Sequence, residues 1–328
     1  MTMSHPTARK RRNPAKIAFI VVAGVLVLAL IGVGGYMWML AQNFDSNTQK
    51  LSSAFPDDAN RPAASTTGAQ NILLLGSDTR GENDGSLDDL TGQRSDTIMV
   101  AHIPADKQHI YVMSILRDSW LEIPGQGSAK INAALSYGGV PLAVETIEQL
   151  IGTRIDHVAV VDFEGFKGVT DALGGVDVES TTSFSAGGYQ FFEGAQQLNG
   201  DQALAFVRER YSFSDGDYQR ARNQQAYLKA VMGKTLSAQT LTDPARLSEL
   251  VGSIAPYLAV DEGLNSAYLG GLALGMTNLR SSDVSFFTAP TLGTGTSDDG
   301  QSIVLIDWDK MAEVKKAFET DTVASYTP

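Results

Sequence analysis

Four arginines, Arg208, Arg210, Arg220 and Arg222, fall within fifteen residues of a 328-residue chain that carries 37 acidic against 25 basic side chains. Guanidinium groups repel one another, so a fold that gathers them sets carboxylates, phosphates or solvent between them. Spacing narrows the chemistry. Arg208 and Arg210, two apart, share one side of an extended segment, and Arg220 and Gln224, four apart, share a helix face. Together they outline a pocket of planar donors for a multiply charged anion.

Carboxylates recur beside arginines elsewhere. NILLLGSDTR puts Asp78 and Arg80 just past an apolar strand, GQRSDTIMVAHI puts Arg94 and Asp96 at the entrance to the next, and IYVMSILRDSW puts Arg117 and Asp118 after another. One such pair is ordinarily a surface ion pair worth about 0 to 1 kcal/mol. Three at strand ends, where open α/β sheets bind ligands, point to a site. Asp78 and Asp96 suit a hard divalent cation, Mg²⁺ or Mn²⁺, which takes one or two carboxylates together with waters and phosphate oxygens. The arginines would hold the remaining oxygens of a pyrophosphate, each charge-assisted bond contributing roughly 1.5 to 3 kcal/mol. No GxxxxGK[ST] run occurs, and SYGG at 136–139 lacks the dinucleotide spacing, so a nucleotide cofactor is not supported. There is no cysteine, and Ser114 has no His or Lys companion in its motif, so a covalent nucleophile is not expected. His102 and His109 flank a strand turn and read as structural.

The elements that must position these residues alternate. Strands are expected at Ile72–Leu75, Thr97–Ile103, His109–Ile115 and His157–Asp162, with further ones at Val176–Val178 and Val284–Thr288. Helices are expected over Val140–Ile151, with Pro141 in the first turn, and over Phe163–Leu173, stopped by Gly174-Gly175. Asn199 and Gln202 form a capping-box pattern for a helix through Phe206, and Asp217 is a candidate cap for a helix from Tyr218 to about Thr235. The tail from Thr291 reads as a glycine-rich loop, a short strand and a last helix. The fold class is α/β: a mixed central sheet sandwiched by helices, preceded by one N-terminal transmembrane helix.

That helix is the uncharged run of 24 residues from Ile17 to Leu40, preceded by Arg9, Lys10, Arg11, Arg12 and Lys16. About 20 apolar residues cross a bilayer, and a cleaved secretory segment is shorter, about 7 to 15. Tyr36, Met37, Trp38 and Met39 are too bulky for a cleavage site. The expectation is a single-pass signal anchor in the cell membrane: residues 1–16 a basic cytoplasmic tail, 17–40 the span, 41–70 a polar stalk with a reach on the order of 30 Å, and 71–328 an extracytoplasmic domain. All of the acidic residues lie beyond the span. Nucleic acid is therefore excluded as a partner, since backbone binding depends on a basic surface.

The segments NILLLGSDTR, RSDTIMVAHI, SILRDSWLEIPG, KINAALSYGG, HVAVVDFEGFKGVTDALGGVDV and LNGDQALAFVRERY…GDYQRARNQQ, in order from about 71 to 231, resemble the LytR-CpsA-Psr family of bacterial envelope proteins. The resemblance implies an enzyme that transfers a glycopolymer from a polyprenyl-pyrophosphate-linked donor to a peptidoglycan acceptor, assisted by Mg²⁺, with an apolar cavity for the lipid chain. By motif, Asp78 and Asp96 look like the metal or acid/base carboxylates. Arg94, Arg117, Arg208, Arg210 and Arg220, with Gln224, look like pyrophosphate ligands, Arg117 also catalytic, and Arg80 and Lys130 like further contributors. Phe163, Phe166, Phe184, Phe206 and Tyr227 are candidates for the cavity wall. The alternatives are a polyprenyl-pyrophosphate hydrolase, in which water replaces the sugar, and a non-catalytic envelope lipid- or glycan-binding protein.

Overall fold

The computed structural model describes residues 32–77, 90–241 and 243–326. The first element is α1 (32–47), followed by β1 (Gln49–Lys50), β2 (Gln70–Ser77), β3 (Ser95–Ile103), β4 (Ile110–Ile115), β5 (Ser119–Ile123), β6 (Gly127–Lys130) and α2 (Asn132–Ile151). Then come β7 (His157–Val161), α3 (Phe163–Ala172), β8 (Val176–Ser180), β9 (Phe184–Ala186), β10 (Tyr189–Phe191), β11 (Gly194–Leu198), α4 (Gly200–Arg208) and α5 (Asp217–Thr235). The chain closes with α6 (Ala238–Leu241), α7 (Pro244–Ile254), β12 (Leu258–Val260), α8 (Ser266–Gly275), β13 (Val284–Thr288), β14 (Thr291–Thr296), β15 (Ser302–Ile306) and α9 (Trp308–Glu319).

A seven-stranded mixed sheet in the order β1-β12-β7-β2-β3-β4-β13 organises the domain. β7 and β2 run parallel, β2, β3 and β4 form an antiparallel meander, and β13 joins β4 in parallel. Side-chain alternation divides its two faces. Leu73 and Leu75 pack with Val144, Ile147 and Ile151 of α2 and Val314 and Phe318 of α9, while Ile72 and Leu74 turn the other way, toward Leu228 and Met232 of α5. A third cluster, built from α3, α4 and the β8–β11 and β9–β10 ladders, holds Phe184, Phe191 and Phe206 in mutual ring contact. β14, β15, β5 and β6 form a separate four-stranded sheet beside Asp118 and Lys130.

Most expected elements recur within two residues, and the Asn199/Gln202 capping box is made on both sides. In α2, Gly138 and Gly139 leave helical geometry, with Gly139 at φ +64, so the regular helix starts at Val140 as its Pro141 requires. Three expectations change. The glycine-rich tail LGTGT is strand β14, paired with β15. Asp217 does not cap α5: Gly216, at φ +47, takes that position and frees the Asp217 side chain for ion pairing. Nor is the chain between 41 and 70 a free stalk. β1 pairs with β12, Leu51 and Ala54 are core residues, and Arg61 is clamped to buried Glu148 at 2.6 Å. Few but well-placed apolar side chains, not sustained periodicity, anchor that segment.

The transmembrane expectation over 17–40 falls mainly on residues outside the described ones, as does the basic tail. Among the described residues no helix is long and apolar enough to cross a membrane.

His102 is fully buried, between Asn71 Oδ1 at 2.8 Å and Asp321 Oδ1 at 3.0 Å, tying the C-terminus to the central sheet. Burial pushes its pKa below 6.5 against the opposing pull of Asp321. An imidazole with a depressed folded pKa takes its proton more readily when unfolded. Its contribution is therefore complete above the unfolded value and declines as the pH falls toward the folded one. His102→Asn is expected to flatten the fall in melting temperature between about pH 7.5 and about pH 5.5. An unchanged slope would assign the acid limb to other groups.

Candidate functional site

Residues from five elements meet beyond one edge of the sheet's α5 face. Arg117, just after β4, donates from Nη1 to Asp96 Oδ1 in β3 and from Nε to Asp118 Oδ1 at 3.5 Å. Lys130, ending β6, reaches the same Asp118 oxygen at 3.5 Å. Arg210 stands 3.8 Å from Asp118 Oδ2 and 3.6 Å from Asp217 Oδ1, and Arg220 Nη2 pairs with Asp217 Oδ1 at 3.0 Å. The result is a strand of alternating charge: Asp96, Arg117, Asp118 with Lys130, Arg210, Asp217, Arg220. Two carboxylates thus separate the guanidinium groups, as electrostatics demands.

Asp118, read from sequence only as the partner of Arg117, and Asp217, read only as a helix cap, are what assembles the others. Burial pushes Asp217 up in pKa against Arg220, and neighbouring Asp118 pushes it further. Burial acts likewise on Asp118, but Arg117 and Lys130 outweigh it and bring Asp118 down. The buried Oδ2 of Asp217 finds no hydrogen-bond partner among the described residues. The available sequence signals were the adjacency of Asp118 to Arg117 and the i,i+3 spacing of Asp217 and Arg220.

The network borders an apolar cavity of about 330 Å³. Asp96, Arg208, Arg220 and Gln224 line its polar part, and Leu74, Met99, Val161, Phe166, Leu228 and Leu258 are among those lining the rest. Arg208 lies over the Phe163 ring at 4.3 Å, which orients a guanidinium at the boundary between charge and apolar wall. Phe163, Phe166 and Tyr227 line the cavity, whereas Phe184 and Phe206 belong to the neighbouring core. On the other side of Arg210, a polar cavity of about 730 Å³ opens between Asp118, Lys130, Tyr211, Asp217 and the β14–β15 ladder.

Of the sequence-derived candidates, Asp96, Arg117, Lys130, Arg208, Arg210, Arg220 and Gln224 come together here. Gln224 also donates to Val207 O at 3.4 Å, so it braces α4 as well as lining the cavity. Arg94 lies exposed at the entrance of β3. Arg222, a member of the arginine cluster, turns away to Asp215 and Gln219. Asp78 and Arg80 lie outside the described residues. Among the described residues no group of three potential metal-ligating side chains occurs. Asp96, with one oxygen held by Arg117, and Asp162, whose Oδ1 caps α3, both line the cavity, and Asp96 fits Mg²⁺ only together with phosphate oxygens and a further carboxylate. Ser114 is buried and accepts a bond from Gln225 at 2.9 Å, a structural role.

A model of the LytR_cpsA_psr family matches residues 37–320, and the chain belongs to that family. Among curated relatives, a polyisoprenyl-teichoic acid–peptidoglycan teichoic acid transferase TagU of Bacillus anthracis is 36% identical over 232 residues, 69% of this chain and 74% of the relative. The TagU of Enterococcus faecalis is 30% identical over 310 residues, 93% of this chain and 97% of the relative. In structure, the chain resembles Bacillus subtilis TagV with a TM-score of 0.65 at 24% identity, over 80% of this chain and 99% of that one, a likeness of fold.

Proposed function

We propose that this protein is a membrane-anchored phosphotransferase that moves a glycopolymer from a polyprenyl-pyrophosphate carrier onto peptidoglycan, outside the cytoplasmic membrane. The observation that carries the reading is the junction of an apolar cavity with a cluster of guanidinium groups. An isoprenoid chain and a diphosphate joined to it need those two environments side by side. The relatives' names, teichoic acid transferases, support the same class of donor and acceptor.

In this reading the lipid chain lies along Leu74, Met99 and Phe166, and its diphosphate sits against Arg208, Arg220 and Arg117. An acceptor-sugar hydroxyl attacks the phosphorus farther from the lipid. A new P–O bond forms, the bond from that phosphorus to the bridging oxygen breaks, and polyprenyl phosphate leaves with the electron pair. The hydroxyl proton passes to a strand-end carboxylate, Asp78 or Asp96. Arginines fixed in advance by Asp118 and Asp217 meet the charge that grows on the leaving phosphate without reorganising. Asp96, with Asp78, would hold Mg²⁺ or Mn²⁺, which when bound supplies positive charge to the phosphate oxygens.

The test is release of polyprenyl phosphate, and labelling of peptidoglycan, by the purified full chain given a carrier-linked glycan and Mg²⁺. Asp96→Ala is expected to lower turnover at least tenfold, about 1.4 kcal/mol of barrier, in a protein that stays folded, and a chelator should mimic it. Transfer that survives both would remove Asp96 from the site. Release of polyprenyl phosphate with no labelled peptidoglycan would assign water as the acceptor.

A further inference from the structure

α8 is a helix of unusual surface. No charged residue occurs between Gly263 and Leu279, none of the residues Ser266–Gly275 is buried, and Leu274 is 78% exposed. A ten-residue helix on a soluble surface ordinarily shows one polar face to water, and this one has none. Single exposed leucines are commonplace, so the argument rests on where α8 lies.

Three contacts place it. Asp45 of α1 accepts bonds from Ser266 N, at 2.8 Å, and from Ser266 Oγ, fixing the start of α8. At 1.5 Å per residue, Asp45 is only about 8 Å along α1 from Leu40, where the uncharged run of the N-terminal sequence ends. Exposed Met37, Trp38 and Met39 immediately precede Leu40. Second, Tyr268 Oη donates to Gln70 Oε1 at 3.0 Å, at the opposite end of β2 from Gly76, which borders the polar part of the cavity. That is about 20 Å from the arginines at strand rise. Third, Leu74 and Leu258 belong both to the cavity wall and to the cluster on which Tyr268 and Leu269 pack. At its C-terminal end the stem of Lys107 lies against Gly275, and Arg280 follows, both suited to lipid phosphates at the rim.

We propose that α8 is a membrane-contact helix, lying in the outer lipid interface beside the end of α1, so that the apolar cavity is held with its inner end toward the bilayer and its arginines away from it. This rests on the reading of residues 17–40 as a membrane anchor, though not on the chemistry of transfer. A carrier lipid could then enter the cavity from the hydrocarbon instead of crossing water. Trp38 supplies an interfacial aromatic at the same level.

The absence of cysteine makes the test clean. Leu274→Cys in the full chain is labelled with an environment-sensitive fluorophore and reconstituted into vesicles of phosphatidylcholine and phosphatidylglycerol. Leu292→Cys, 69% exposed on β14 near the arginine end, serves as comparator. The expected result is blue-shifted emission at 274, quenched by about half or more when acyl-brominated lipids are used, as for a probe about 5–10 Å into the interface, with 292 unaffected. Water-like, unquenched emission at 274 in protein that floats with the vesicles overturns the role of α8 and leaves the anchor standing. A blue shift without lipid quenching assigns the surface to protein, which also overturns it. Protein that does not float with vesicles overturns the anchor and this inference together.

Discussion

Replacing Arg220 by alanine is expected to lower transfer by about a hundredfold and to destabilise the protein as well. Arg220 is 5% exposed, lines the apolar cavity and points its Nη2 at Asp217 Oδ1, 3.0 Å away. Loss of one preorganised donor facing developing charge typically costs about 10² to 10³ in turnover. Stability falls because Asp217, its side chain only 11% exposed, loses its nearest cation. Breaking a buried pair costs about 3 to 5 kcal/mol, and Arg210, still 3.6 Å from Asp217, brings the expectation to about 3. From sequence alone, Arg208, Arg210 and Arg220 lack enough carboxylate partners within their own segment, and removing Arg208 or Arg210 is expected to relieve repulsion. For Arg220, paired to Asp217, the structure gives the opposite sign. Calorimetric melting decides it: a melting temperature for Arg220→Ala equal to or above the wild type would mean that the alternating network does not hold the apo site together. Normal turnover in a folded variant would place the chemistry elsewhere.

The largest loss of stability with no effect on chemistry is expected at Arg61. Its Nη2 lies 2.6 Å from Glu148 Oε1 and 2.6 Å from Ile155 O, and its Nε bonds both oxygens of Glu148 at 3.1 and 3.2 Å. Glu148, 1% exposed, also accepts from Ile155 N, while Phe55 stacks beneath the guanidinium at 4.5 Å. Arg61→Ala strands a buried carboxylate, so a loss of about 3 to 5 kcal/mol follows, or roughly 10 °C in melting temperature for a domain of this size. The double replacement Arg61→Met with Glu148→Leu removes both charges and should recover most of it. Equal destabilisation by the single and double variants would show that packing, not the stranded charge, dominates. Turnover of folded Arg61→Ala well below its melting temperature should match the wild type, because Arg61 lies against Glu148 of α2 and does not line the cavity.

The local features of this protein were legible in its sequence because neighbours along the chain decide them. Alternating apolar runs gave β2, β3, β4 and β7 to within two residues, Pro141 marked the regular start of α2, and Asn199 with Gln202 marked α4. Residue types also pointed to the ligand's charge, since guanidinium groups concentrated in an acidic chain need anions. Only the tertiary structure decided which carboxylates sit among those arginines. Asp118 follows β4 and Asp217 begins α5, nearly a hundred residues apart, and their meeting depends on α5 packing over Met99, Ala101 and Val112. It also decided that residues 49–61 belong to the domain, because pairing of β1 with β12 and the clamp on Glu148 are contacts across about a hundred residues or more, to which no local pattern testifies. The cavity is the clearest case. Leu74, Phe166, Leu228 and Leu258 look like core residues in sequence, and only the way α3, α5 and the sheet stand apart leaves space between them.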